Sequence, residues 1–414
     1  MSSGQKGLSI GGVQGFNRRA ILSAMQDHGP CSRKDISVAT GLDQATVTRA
    51  IGLLIEDGIV EEIGLVKGGR GRRSINLSFA RSGRFIICVR LQRRNFSVGL
   101  YNLAGEMLDE AEGRIRKGQS PAQIFDQIAT CVDRYTAQQP EIDGIGIAVP
   151  GPFLESAERV ILMTESPDWQ AFDLVRALRE HCNTIPVYAI HDAKAAALTV
   201  WRAQAKPSNA KVLLYISAGQ GIGSALVVNG EVYRGSLGLA GELGHTSIDV
   251  NGPRCKCGNH GCLELFTSRI ALLREVREYA DGNQETTLTP EASFADVVAA
   301  YHTGDMLAVA EVDRVAHYLA QGITNCINFA NPDIVVIGDE YAAFGPSFCA
   351  AIAKYVKASL LPSIYQSIRL ELSRIEGDLV LKGAYLDVLS QTYLTTPREE
   401  ASRPVQAGEE GVLP

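Results

Sequence analysis

Apolar residues recur at helical spacing near the start of the chain. Ile21, Leu22 and Met25 predict a helix over 17–28, which Gly29-Pro30 ends. Ser32 is placed to cap a second short helix over 33–39. After Thr40-Gly41-Leu42, Asp43 caps a third over 44–56, with Val47, Ile51, Leu54 and Ile55 on one face. Two helices joined by a tight turn containing glycine make a helix-turn-helix. The pattern then shifts to strands at 59–63 and 74–77, joined by Lys67-Gly-Gly-Arg70-Gly-Arg72-Arg73.

Near Ser82 the pattern changes again. Short apolar runs predict strands at 85–91, 96–103 and 142–149, the last ending in Pro150-Gly151-Pro152. Another strand at 187–190 leads to His191-Asp192 and a helix over 193–205. Strands at 212–216 and 224–228 flank the loop from Ser217 to Gly223, and a long helix over 307–330 precedes a strand at 334–337. Strands alternating with helices indicate an α/β body. The expected units are a winged helix-turn-helix over 1–82, a body over 83–396, and a disordered tail over 397–414, rich in Pro, Gly, Ser and Glu.

The 414 residues, 45% hydrophobic and 21% charged, fit a soluble multidomain protein. The absence of a long apolar run and of an apolar core behind Met1 predicts a cytoplasmic protein with no membrane partner. The net charge of −6 argues against nucleic acid, but its distribution does not. Residues 1–82 hold eleven Lys/Arg against seven Asp/Glu, so a basic module precedes an acidic body.

That module offers the right groups to DNA. Gln44, Thr46, Thr48 and Arg49 stand at the start of the third helix, where Gln and Arg can reach base edges in the major groove. Arg70, Arg72 and Arg73 sit at a hairpin tip suited to a minor groove or to phosphates. The sequence Ser32-Arg-Lys-Asp-Ile-Ser-Val-Ala-Thr-Gly-Leu-Asp-Gln-Ala-Thr-Val-Thr-Arg49 resembles bacterial winged-helix repressors, which implies a double-stranded operator as partner.

Nine cysteines, an odd number, do not suggest a disulfide framework. Cys31, Cys88, Cys131, Cys182, Cys326 and Cys349 are expected to be buried small hydrophobes. Cys255-Lys-Cys257-Gly-Asn-His-Gly-Cys262 is different: three thiolates spaced by glycines suit a tetrahedral structural zinc. A fourth ligand is needed, and His245 and His260 are the candidates; His260, two residues from Cys262, is cramped. Glu242, Glu264 and Asp192 are carboxylates that could bind sugar hydroxyls in one cleft.

Gly241-Glu-Leu-Gly-His245, with the cysteine cluster and Leu263-Glu264, resembles the signature of the ROK family of repressors and sugar kinases. The likeness runs from the winged helix to about Leu394. It implies a two-lobed actin-like (ribonuclease H-like) body and a zinc held by His245, Cys255, Cys257 and Cys262. It also implies a sugar pocket lined by Gly151, His191, Asp192, Glu242, His245 and Glu264, and assembly as a dimer or tetramer. His191 stands where the family usually has Asn, which leaves the identity of the sugar or sugar phosphate open.

Family kinases open this body with a strand and Asp-x-Gly-Gly-Thr, whose carboxylate organises magnesium and whose glycines admit phosphate. Here Arg90, Gln92, Arg93 and Arg94 stand at those positions. The expectation is therefore a regulator with no catalytic residues and no ATP cofactor, its arginines exposed on a hairpin. Gly219, Gly221 and Gly223 persist in a second loop. The competing readings are an active sugar kinase with a DNA-binding appendage and a regulator gated by a protein partner.

Overall fold

Ile21, Leu22 and Met25 meet Ile36, Val47, Ile51 and Leu54 in one apolar core, and each helix that contributes is closed by local chemistry. The computed structural model describes residues 10–66, 74–139, 141–155, 157–160, 169, 172–282 and 285–395. Arg70, Arg72, Arg73 and the segment 397–414 lie outside the described residues. The first helix spans Ile10–His28, starting earlier than the apolar spacing predicts.

The second helix is Arg33–Thr40. The Ser32 hydroxyl accepts from the Asp35 amide at 3.2 Å, and the Asp35 carboxylate accepts from the Ser32 amide at 2.9 Å, a reciprocal cap. Gly41, with φ 72°, takes the left-handed position of the turn. The third helix, Gln44–Glu56, starts where Asp43 Oδ1 accepts from the amides of Ala45 and Thr46 at 3.0 and 2.9 Å. Cys31–Ser32, Ser74–Phe79 and Val60–Val66 complete a three-stranded antiparallel sheet in that order, which makes the domain a winged helix-turn-helix.

The body is built from two five-stranded sheets of one plan. The first runs Val187–His191, Ile142–Val149, Phe85–Leu91, Asn95–Asn102, Met107–Arg114. The second runs Arg369–Leu372, Ile334–Gly338, Val212–Ala218, Ile222–Val228, Glu231–Val232. In each, the earliest strand is central, two antiparallel strands follow on one side, and two parallel strands lie on the other. This is the two-lobed actin-like arrangement. Strands such as Phe85–Leu91 and Ile334–Gly338 are buried on both faces, which is why they read as continuous apolar runs.

Two helices lie between the sheets. Asp192–Val200 packs on Val212–Ala218 and Ile222–Val228, while Leu379–Leu389 packs on Phe85–Leu91 and Ile142–Val149. They cross at Gly383, where a Cβ would stand 1.8 Å from the Ala195 carbonyl oxygen; only glycine permits that approach. Among the described residues, no helix is long and apolar enough to cross a membrane. Cys31 and Cys88 are buried as expected, but Cys131, Cys182, Cys326 and Cys349 are only partly so, because they lie at the margins of their helices' packed faces.

Candidate functional site

The cleft between the lobes forms where strands end. Ile142–Val149 and Val187–His191 run parallel, with His191 opposite Val149. Their carboxyl ends deliver Gly151 and His191-Asp192 to the same place, as open α/β sheets do. A Cβ on Gly151 would stand 2.2 Å from His191 Nε2, so the buried imidazole requires glycine there. Asp192 Oδ1 accepts from the Ala193 amide at 2.6 Å and lies 3.2 Å from His191 Nε2.

The second lobe contributes the Gly-Glu-x-Gly-His segment. Cβ atoms on Gly241 and Gly244 would fall 2.4 and 2.2 Å from the carbonyl oxygens of Ser224 and Ile222. Glycine therefore lets this segment lie flat on the strand Ile222–Val228, and Glu242 and His245 face the cleft. Glu264 Oε2 accepts from the Ile222 amide at 3.0 Å. Gly151, His191, Asp192, Glu242, His245 and Glu264 thus line one cavity, although they come from four separate segments.

Behind His245 the ligand atoms of His245, Cys255, Cys257 and Cys262 lie within 4.8 Å of one another. The Sγ atoms of Cys257 and Cys262 are 3.6 Å apart, and Cys255 Sγ is 3.8 Å from His245 Nδ1. A tetrahedral site with Zn–S of about 2.3 Å sets thiolates roughly 3.8 Å apart, so the donor set fits zinc. Gly261 is needed here too: at φ 61°, its Cβ would stand 1.8 Å from the Asp249 carbonyl oxygen. His260 is exposed, bridged to Arg254, and not part of this group.

One expectation is corrected. Arg90 and Arg93 are not exposed; both line the cleft, Arg90 from the strand Phe85–Leu91 and Arg93 from the hairpin turn that follows it, while Arg94 is exposed as expected. Arg90 Nη1 bonds Asp378 Oδ2 at 2.8 Å. Burial works against its charge, but Asp378, together with Asp192 and Asp339, outweighs burial and holds its pKa above the ordinary value. Arg90 Nε and Arg93 Nη1 are buried without a hydrogen-bond partner. Arg94 faces away, beside Arg114 and Arg116.

Sequence reasoning missed Asp339. It follows Gly338 at φ 69°, a region that favours glycine, and its carboxylate accepts from the Ser217 hydroxyl at 2.8 Å. Burial pushes its pKa up, and Arg90 counters this. Glu340, paired with Arg269, is likewise raised by burial. The signal available was a Gly-Asp pair at the end of an apolar strand.

On the winged domain, Gln44, Thr48 and Arg49 are exposed at the start of the third helix. Thr46 is half-buried, and its hydroxyl donates to Asp43 Oδ2 at 2.7 Å, so it also serves the cap.

The family model described as ROK family matches residues 86–385, and one described as winged helix-turn-helix DNA-binding matches 17–61. The chain is 29% identical over 364 residues to the xylose repressor of Bacillus spizizenii strain W23, covering 86% of this chain and 91% of that one. It is 30% identical over 318 residues to a glucokinase of Halalkalibacterium halodurans, covering 74% of this chain and 95% of that one. Among solved structures it is similar to a ROK family transcriptional regulator described as a homolog of the Escherichia coli MLC protein. That match has a TM-score of 0.77 and 27% identity, over 92% of this chain and 97% of the other.

Proposed function

The chain belongs to the ROK family, and from that premise we propose that it is a sugar-responsive, DNA-binding transcriptional repressor whose kinase-like body serves as the effector sensor. One observation carries the reading: a capped helix with exposed Gln44, Thr48 and Arg49 shares a chain with a carboxylate-lined cleft between two lobes. Relatives of both kinds, repressor and kinase, are consistent with this body.

Asp192, Glu242 and Glu264 offer acceptors to sugar hydroxyls, and Gly151 adds backbone without a side chain to the cleft wall, where a pyranose-sized ligand can approach it. His245 turns Nδ1 toward the thiols, leaving Nε2 to meet a hydroxyl. Zinc held by His245, Cys255, Cys257 and Cys262 would supply a rigid crosslink that fixes that ring. A dimer would set two recognition helices about 34–36 Å apart, one turn of DNA. The double-stranded operator and the sugar or sugar phosphate are the partners of this reading, and the cytoplasm is its setting.

Arg90 argues against the kinase reading. A permanent cation stands where magnesium would need a carboxylate, and Asp339 occupies space beside the glycine loop at Gly219. The retained Gly219, Gly221 and Gly223 are what the kinase reading has in its favour.

The test is fluorescence anisotropy of the full chain on labelled DNA from its own upstream region. It is titrated with D-xylose, D-glucose, N-acetylglucosamine and their phosphates. A shift in DNA affinity within the typical ~5–150-fold range of allosteric coupling supports the proposal. DNA binding that ignores every sugar counts against it, and steady ADP release on a sugar would favour the kinase.

A further inference from the structure

We infer that the helical rod running from Asp192 to Ser208 couples the effector cleft to the DNA-binding domain, with Arg202 and Lys206 as the positioning residues at its far end. The inference rests on the proposed function and names how that same cleft would be read out.

The rod is continuous. Asp192–Val200 is α-helical, Trp201–Ala205 widens into a π turn, and Lys206–Ser208 closes as a 3-10 turn. At about 1.5 Å per residue it reaches roughly 25 Å. A π turn inside a helix often marks a functional position. Asp192 begins the rod and lines the cleft.

The far end grips the winged domain. Arg202 Nη1 donates to the Gln26 carbonyl at 3.1 Å and lies 3.4 Å from Asp27 Oδ1, and Nη2 meets the Gln26 side chain. The Lys206 ammonium meets Asp27 as well. Burial pulls the Arg202 pKa down, and Asp27 opposes this. Gln26 and Asp27 end the first helix, whose Ile21, Leu22 and Met25 share a core with Val47 and Ile51 of the recognition helix. Movement of the first helix therefore carries the recognition helix with it, because packed cores shift as units.

The near end is tied to both sides of the cleft. Lys194, buried two residues into the rod, bonds Glu155 Oε1 at 2.9 Å and meets the Gly238 carbonyl. Glu155 follows Gly151-Pro152 in the first lobe, and Gly238 precedes Glu242 in the second. Arg234 joins Glu155 and Asp387 at 2.7 Å each, and Asp387 lies on the companion helix Leu379–Leu389. Closure of the lobes on a sugar thus acts on Lys194 from two directions.

A second anchor sits on the first lobe. The Asp57 carbonyl, at the end of the recognition helix, accepts from Arg84 at 3.3 Å, and Arg84 is locked by Asp143 at 3.0 Å. The first helix also packs on Ser390–Leu394, so the winged domain is seated on Arg84, on the rod and on this segment, and displacement of the rod tilts it against the other two.

The experiment uses the full chain and the anisotropy assay above, with the sugar that moves wild-type DNA binding. Asp27→Ala is expected to keep sugar affinity by calorimetry, while the sugar-dependent shift falls from several-fold to under about twofold. The charge swap Asp27→Lys with Arg202→Glu and Lys206→Glu is expected to restore part of it. If Asp27→Ala folds poorly, Asp27→Asn is read instead. A full shift retained in Asp27→Ala overturns the inference. So does a loss of DNA affinity that is equal with and without sugar, the mark of a merely structural contact. A wild-type chain that binds DNA and answers no sugar overturns the proposed function itself, and the coupling with it.

Discussion

Arg90 Nη1 stands 2.8 Å from Asp378 Oδ2 in a cleft that also holds Asp192 and Asp339. A guanidinium cannot be deprotonated, so it is a built-in cation among carboxylates. Mg·ATP with any of the sugars named above is therefore expected to give ADP at the rate of the buffer blank in a coupled assay. Arg90→Ala leaves Asp378 without its counter-ion and is expected to lower stability by about 1–3 kcal/mol, less than a fully buried pair because both partners keep some solvent. Urea unfolding reads it; an unchanged midpoint would mean that the pair contributes nothing.

Asp192 lines the cleft and, among the described residues, makes no hydrogen bond or ion pair to the winged domain. Asp192→Asn is expected to abolish the sugar response while leaving DNA affinity without sugar within about twofold of wild type, since distant sites usually act independently. Simultaneous loss of both properties would deny the division of labour between the domains.

Gly151→Ala places a methyl 2.2 Å from the His191 ring. Overpacking of that kind costs about 1–3 kcal/mol. Calorimetry is expected to show weakened or absent sugar binding. Adding His191→Ala makes room and is expected to restore part of the lost stability; no rescue would mean that the strain lies elsewhere.

Elemental analysis of the purified chain is expected to find about one zinc per chain. Cys262→Ser, which removes a buried ligand, should lose the metal and lower the melting temperature. The same variant tests whether His245 depends on the metal for its orientation, because sugar affinity should fall with it. Full zinc content in Cys262→Ser would exclude this ligand set.

Gln44→Ala and Arg49→Ala each remove a group that can read a base edge. Each is expected to weaken operator binding by about 1–3 kcal/mol and to change non-specific binding less. Competition with unrelated DNA separates the two, and equal losses on both would reassign these residues to phosphate contacts.

The parts of the molecule set by short-range chemistry were legible in the chain. Ser32 and Asp43 cap their helices with their own side chains, and Gly41 takes the left-handed turn, as the pattern predicts. Cys255, Cys257 and Cys262 sit within eight residues, so glycine turns alone can gather them. The helix 193–205 and the strands at 85–91 and 142–149 were marked by their apolar runs.

What needed tertiary structure was every pairing across the sheets. The apolar run Phe85–Leu91 places Arg90 on a strand but does not say that Asp378 waits for it 288 positions away. Asp339 is an ordinary acid in sequence and a buried one in the fold, because the parallel strand Ile334–Gly338 delivers it beside Ser217. Arg202 and Asp27 lie 175 positions apart, and only the packing of the rod beneath the winged domain brings them together. Local hydrogen bonds and periodicity determine where elements begin, end and face, and these are written in neighbouring residues. The order of strands and the crossing of Asp192–Val200 over Leu379–Leu389 determine which charges meet, and these depend on burying the two sheets' apolar faces as wholes.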